Sequence, residues 1–205
     1  MTTRAPFRIT VCGIEELPGH CEAGVSHVLS ILDPDWPVPA AFGRFGAHER
    51  LELRFHDVIE DISDMRPPGR EHVARLLAFG RDLMAWPVSA SEAHLLVHCH
   101  AGVSRSTASM ALILAQARPG WPAKAVVEEV RRIRPQAWPN LRIIELGDAL
   151  LGRNGQIIAA VGELYGRQLQ ARPEMAEPMI QAGRQREIMT ARTALVHEGP
   201  MAPDE

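Results

Sequence analysis

The sequence is short of cysteine, of basic charge and of long apolar runs, and each shortage excludes something. Its 205 residues hold three cysteines, Cys12, Cys21 and Cys99, at irregular spacing. An odd, scattered set is no disulfide framework. A reducing cytoplasm is the expected compartment, since Cys99 stays a thiol there. Net charge is −3 with histidine neutral. No global basic field is present to attract nucleic acid, so any anion must be held locally. The longest apolar stretch near the middle, Ala108 to Ala115, is far too short for a membrane span. Met1 to Thr10 is too mixed for a signal peptide. No internal repeat is present. The length suits one core and a short extension: a main domain over 1–171 and a C-terminal tail over 172–205, helical in part.

What is there reads as alternating strands and helices. Phe7 to Val11 alternates as a first strand, and Val25 to Leu32 is a buried strand closed by Asp33-Pro34-Asp35. Trp36 to Gly46 reads as loop. Glu49 to Phe55 is a third strand leading into an acidic loop with Asp57, Glu60, Asp61 and Asp64. After Pro67-Pro68-Gly69, a helix places Val73, Leu76, Leu77, Leu83 and Met84 on one face. A short buried strand lies within Glu92 to His98. Ser104 to Ala117 is apolar on nearly every side, the mark of a central helix. Pro122 opens the next helix, which ends at Arg134-Pro135. Asn140 caps another, stopped by Gly152, and one more runs from Gln156 to about Gln170. The order predicts an α/β fold: a central mixed or parallel sheet with helices on both faces.

The decisive segment is Leu95-Leu96-Val97-His98-Cys99-His100-Ala101-Gly102-Val103-Ser104-Arg105-Ser106. A strand delivers Cys99 to a loop, and the loop runs directly into a helix. The helix start has unpaired N–H groups and partial positive charge, which suits a phosphate. Gly102 lets the loop curl so that successive N–H groups converge. Arg105 can grip two phosphate oxygens at once. The same positive surroundings favour the thiolate of Cys99.

This His-Cys-(five residues)-Arg-Ser pattern resembles the signature of the cysteine-dependent protein tyrosine phosphatase superfamily, and the chain is similar to its small dual-specificity-like and bacterial members. Val25 to Pro34, Leu53 to Asp64 and Arg134 to Asn140 resemble further parts of that family, over roughly residues 5 to 155. The resemblance implies an enzyme that hydrolyses phosphate monoesters through a phosphocysteine. The expected substrate is phosphotyrosine on a protein, with phosphoserine and phosphothreonine next. In that scheme Cys99 is the nucleophile, and Arg105 binds phosphate and stabilises the transition state. The N–H groups of His100, Ala101, Gly102, Val103, Ser104 and Arg105 line the cradle. His98 orients the loop, Ser106 donates to the Cys99 sulfur, and Asp57 is the general acid, with Asp61 the runner-up. No metal or other cofactor is needed.

Several readings compete. His94, His98, Cys99 and His100 cluster, and alternation puts the three histidines on one face. No carboxylate or second cysteine stands at metal spacing beside them, which weakens a zinc reading. The His100 side chain is expected to face outward. Phosphoinositide is a weaker substrate reading, because the cradle holds no Lys. A phosphate-recognising pseudophosphatase would keep the cradle without turnover, but Cys99, Arg105 and Ser106 are all intact. A rhodanese-like sulfur carrier also uses a loop cysteine, yet Arg105 followed by Ser106 fits phosphate better. No catalytic candidate lies beyond Pro173, so its removal is expected to spare the chemistry.

Overall fold

The computed structural model describes residues 7–86 and 93–198, with only the backbone for 197 and 198. Glu92, where the sequence opens the fourth strand, lies outside the described residues, as do the ends of the chain. Four strands, β1 (Arg8–Cys12), β2 (His27–Leu32), β3 (Glu49–Arg54) and β4 (His94–His98), form one sheet in the order β1-β4-β2-β3. Every pairing is parallel. All four strands therefore end on one edge, and the chain after each of them reaches the same rim of the sheet.

The helices follow the sequence punctuation. They are α1 (Arg70–Met84), α2 (Arg105–Ala117), α3 (Ala123–Ile133), α4 (Leu141–Leu150), α5 (Gln156–Ala171), α6 (Ala176–Gln181) and α7 (Gln185–Glu198). Gly69 precedes α1, and its N–H donates to His72 Nδ1 at 3.0 Å. Asn140 Oδ1 caps α4 by accepting from the Ile143 N–H at 3.1 Å. α2 is central, and every residue from Arg105 to Ala115 is buried. It packs against α1, α3, α4 and β4.

The two faces of the sheet are covered differently. Leu29, Ile31, Leu53, Leu95 and Val97 join the main core under the helices. Val28 and Leu96 face the other way, into a small cluster with Cys12, Leu17 and Val25. Among the described residues, that side is covered by short 3-10 turns at Ile14–His20 and Ala40–Arg44 and by no α-helix. The expected α/β fold, a parallel sheet flanked by helices, is the observed one, with short 3-10 helices on this face. The strands hold too few outward apolar residues there to need a full layer. Part of the stretch that reads as loop, Ala40–Arg44, is one of those turns. Met84, expected on the buried face of α1, is 39% exposed at its last turn.

The segment after Pro173 carries helices. α7 lies along α5 and buries Ile188 and Ala191, with Glu187 fully enclosed. Among the described residues, no helix is long and apolar enough to cross a membrane.

Candidate active site

The site forms where β4 ends. Cys99 sits just past the strand, 2% exposed, with its Sγ 3.3 Å from Ser106 Oγ in the first turn of α2. The loop between them curls tightly. Gly102 has φ +69°, and a Cβ there would stand 2.5 Å from the Cys12 carbonyl carbon. Only glycine fits both that conformation and that approach. Gly13 closes from the other side, where a Cβ would meet the His100 carbonyl at 2.8 Å. The Ile14 N–H donates to that same carbonyl at 2.9 Å.

The curl leaves donors unspent. Among the described residues, the backbone N–H groups from His100 to Arg105 reach no protein acceptor. Val103 O and Ser104 O accept from Trp138 N at 2.9 Å and Asn140 N at 3.3 Å, so the outer side of the loop is tied down. Arg105 is 2% exposed. Its Nη1 donates to Asp33 Oδ1 at 2.6 Å and to Phe55 O at 2.7 Å. Its buried Nε has no hydrogen-bond acceptor. The guanidinium is thus fixed by one corner, with a donor edge left over.

Behind the loop stands a second arginine. Arg134 Nε donates to Gly102 O at 3.1 Å, and Nη2 to Ala101 O at 3.1 Å. Nη1 and Nη2 also grip the Glu16 carboxylate at 3.0 and 2.8 Å. Glu16 in turn accepts from the Gly13 N–H at 2.6 Å. The Arg134 hydrogen bonds hold the Glu16 carboxyl below its ordinary pKa.

Asp57 follows β3 and reaches the loop. Its Oδ1 accepts from Ser104 Oγ at 2.7 Å and from Asn140 Nδ2 at 2.9 Å. Its Oδ2 lies 3.9 Å from Arg105 Nε. Asp61 points elsewhere: it pairs with Arg142 at 2.9 Å and its side chain is 83% exposed. Asp64 takes a left-handed φ of +63° in the turn beyond.

His98 lies beneath the loop with no exposure. Its Nε2 meets Ser30 Oγ at 2.8 Å across the ladder, and Phe42 packs on its ring. Burial pushes the imidazole down to about 4, against a smaller upward pull from the Cys99 backbone. The ring is therefore neutral at pH 7. The His100 side chain does not face outward as expected. It packs on Trp36 with ring centroids 4.4 Å apart, and its Nε2 accepts from the Asp33 N–H at 3.4 Å. The exposed, half-apolar loop of Asp33–Pro37 supplies that shelter. The three histidines also fail to converge. His94 is engaged by Thr10 Oγ1 and Ala23 O, His98 by Ser30, and His100 lies past the strand end. Among the described residues, no three His, Cys, Asp or Glu side chains come together as a metal site would need.

Three residues of the site escape a reading of the sequence. Asp33 reads there only as a turn residue. It is pinned because Arg54 Nη1 donates to the carbonyls of Asp33, Pro34 and Trp36. Asn140 reads as a helix cap, and the pattern gives no hint of its second role on Asp57. Arg184 reads as tail, yet its Nη2 donates to Ser104 Oγ at 2.9 Å. A carboxylate directly after a strand, as Asp33 follows β2, is the available signal for Asp33. For Arg184 no local signal exists.

No protein-family model matches the chain, and no curated protein matches it. Solved structures do. Human DUSP28 superposes with a TM-score of 0.51 at 22% identity, covering 71% of this chain and 94% of that chain. A mouse dual specificity phosphatase complexed with zinc tungstate gives a TM-score of 0.51 at 18% identity, covering 77% and 92%. The four-stranded parallel sheet, the loop between β4 and α2 and these neighbours together identify the fold as that of the dual-specificity and protein tyrosine phosphatases.

Proposed function

We propose that the protein hydrolyses phosphate monoesters, phosphotyrosine first among them, through a phosphocysteine on Cys99. One observation carries this reading. In the loop that follows Cys99, the N–H groups of His100–Arg105 and the buried Nε of Arg105 have no protein acceptor among the described residues. That is the donor set a phosphoryl group with three equatorial oxygens requires.

The Cys99 thiolate attacks phosphorus, forming the P–S bond as the P–O bond to the leaving group breaks. Arg105 and the loop N–H groups bind the equatorial oxygens as charge builds on them. The departing oxygen takes its proton from Asp57, whose Oδ2 is the carboxyl oxygen not already accepting two hydrogen bonds. Water then attacks the phosphocysteine, Asp57 takes the water proton, and Ser106 Oγ donates to the sulfur as it leaves. His98, neutral and held by Ser30, fixes the strand end beneath Cys99. All of this uses side chains and backbone alone.

An aryl ester is favoured over an inositol phosphate by the rim. His100, Ala101, Val103 and Ser104 bring no Lys. Trp36, 44% exposed and packed on His100, offers an apolar wall. The free thiols Cys12, Cys21 and Cys99 fit a reducing compartment such as the cytoplasm.

The test compares wild type and Cys99→Ser on an aryl phosphate and on a phosphotyrosine peptide, with peptide binding measured in parallel. Expected is loss of turnover in Cys99→Ser while it still binds the peptide. Turnover retained in the variant ends the mechanism. Peptide binding without turnover in wild type makes the protein a recognition module instead.

A further inference from the structure

The phosphatase mechanism leaves Arg184 unused, although it is buried and touches two residues of the site. It stands immediately before α7, at 9% exposure. Nη2 donates to Ser104 Oγ at 2.9 Å, and Nη1 lies 3.5 Å from Asp57 Oδ1. Nε and Nη2 also grip the Glu187 carboxylate at 2.7 and 2.8 Å. Glu187 is itself fastened by Trp138 Nε1 at 2.6 Å and by the Leu141 N–H at 3.0 Å. Burial raises the Glu187 carboxyl against the opposing pull of Arg184. The arginine is thus bolted to the core on one side and offers its remaining donors to the site on the other.

We propose that Arg184 is a positioning residue for Asp57, so that the segment after Pro173 completes the catalytic site. The inference rests on the phosphatase reading. A serine hydroxyl has one proton and two lone pairs. Arg184 Nη2 occupies a lone pair of Ser104 Oγ, which directs the hydroxyl proton to Asp57 Oδ1. With Asn140 Nδ2 donating to the same oxygen, Oδ1 is saturated. Oδ2 is left toward Arg105, 3.9 Å from its Nε, the donor that the phosphatase reading assigns to the phosphate. Arg184 thereby assigns the two carboxyl oxygens different tasks: one anchors and the other carries the proton. Glu187 offsets much of the arginine's charge, so its main effect is geometric. Displacement of a catalytic group by about 1 Å can cost on the order of 10²-fold in rate.

The experiment uses the full chain with Arg184→Met and Arg184→Lys. The lysine variant keeps a cation for the buried Glu187 but cannot reach Ser104 and Asp57 together. Each is assayed on two aryl phosphates, one with a poor leaving group and one with a good one, and each is repeated with Asp57→Asn. Expected is a fall in kcat of about 10-fold to 10²-fold on the poor leaving group. Little change is expected on the good one or in KM, and no further loss in the Asp57→Asn background. Equal losses on both esters, additive losses with Asp57→Asn, or no loss overturn the proposal. If the methionine variant does not fold, the lysine variant decides by the same criteria. No leaving-group dependence in Asp57→Asn itself would take the acid role from Asp57 and overturn the proposal too, whereas turnover in Cys99→Ser would bring down the phosphatase reading beneath it.

Discussion

Two arginines serve the same loop: Arg134 binds its carbonyls, and Arg105 stands where it runs into α2. Arg134, behind it, has every guanidinium nitrogen engaged, by the carbonyls of Ala101 and Gly102 and by Glu16. Arg105, in front, is anchored through Nη1 alone and keeps a buried Nε without an acceptor. Burying an unmatched donor costs stability, roughly 1–3 kcal/mol. The rear arginine is built to hold shape, and the front one keeps a donor in reserve at the expense of stability. Satisfied donors on Arg134 and an unsatisfied one on Arg105 thus separate support from the recognition proposed for Arg105.

The largest expected break in that comparison is Arg105→Lys. It keeps the charge but loses the planar fork, so kcat/KM should fall by about 10²–10³-fold. The thermal midpoint should move by less than about 4 °C, because little satisfied structure is removed. Steady-state kinetics with a melting curve check both halves, and near-normal kinetics would take Arg105 out of the site.

Gly102→Ala strikes front and rear together. Its Cβ would collide with Cys12, at a φ that disfavours any side chain. Loss of about 1–3 kcal/mol of stability is expected, with about 10-fold or more of activity. Denaturant titration beside kinetics reads the pair.

Arg134→Met should invert the Arg105 result. Stability should drop by about 1–3 kcal/mol as the Ala101 and Gly102 carbonyls and Glu16 lose their donor. Activity should fall by only about 3-fold to 10-fold. A larger catalytic than structural effect would erase the distinction between the two arginines.

The last prediction leaves catalysis aside and concerns His98 and pH. Its folded value is about 4, against about 6.5 for a free imidazole. Between those values the unfolded chain binds the extra proton, so stability rises with pH and is lost as pH falls from about 6.5 to about 4. The full difference is about 3 kcal/mol. His98→Gln keeps a donor near Ser30 and cannot titrate. Its stability should fall less steeply across that window, by denaturant titration at each pH. An unchanged slope would mean that the imidazole is not buried neutral. His27, His72 and His100 are also lowered by burial and act in the same direction.

The parts of the molecule that are legible in the sequence share one property: their residues are contiguous. Leu95 to Ser106 carries strand, loop, glycine, arginine and helix start in one run. Helix limits are legible where Gly, Pro or Asn stands at them, as at Gly69, Pro122 and Asn140. Asp33 and Arg184 are not, because folding alone brings them within 2.6 Å of Arg105 and 2.9 Å of Ser104. α7 hides for a further reason. Its buried face includes the charged Glu187 beside Ile188 and Ala191, which dilutes the apolar period. A paired charge inside a core reads, from sequence, like a solvated surface.

The strand order has a consequence for how the chain is born. β1 pairs with β4, not with β2, so a growing chain that stops short of residue 94 holds a first strand with no neighbour in the sheet. β4 must then insert between two older strands and ladder to both at once. Long-range pairing of that kind closes late and slowly. The strand that ends at Cys99 is therefore the keystone of the sheet. A chain truncated or misregistered there loses its architecture along with the Cys99 loop, and half-made copies present an open sheet edge.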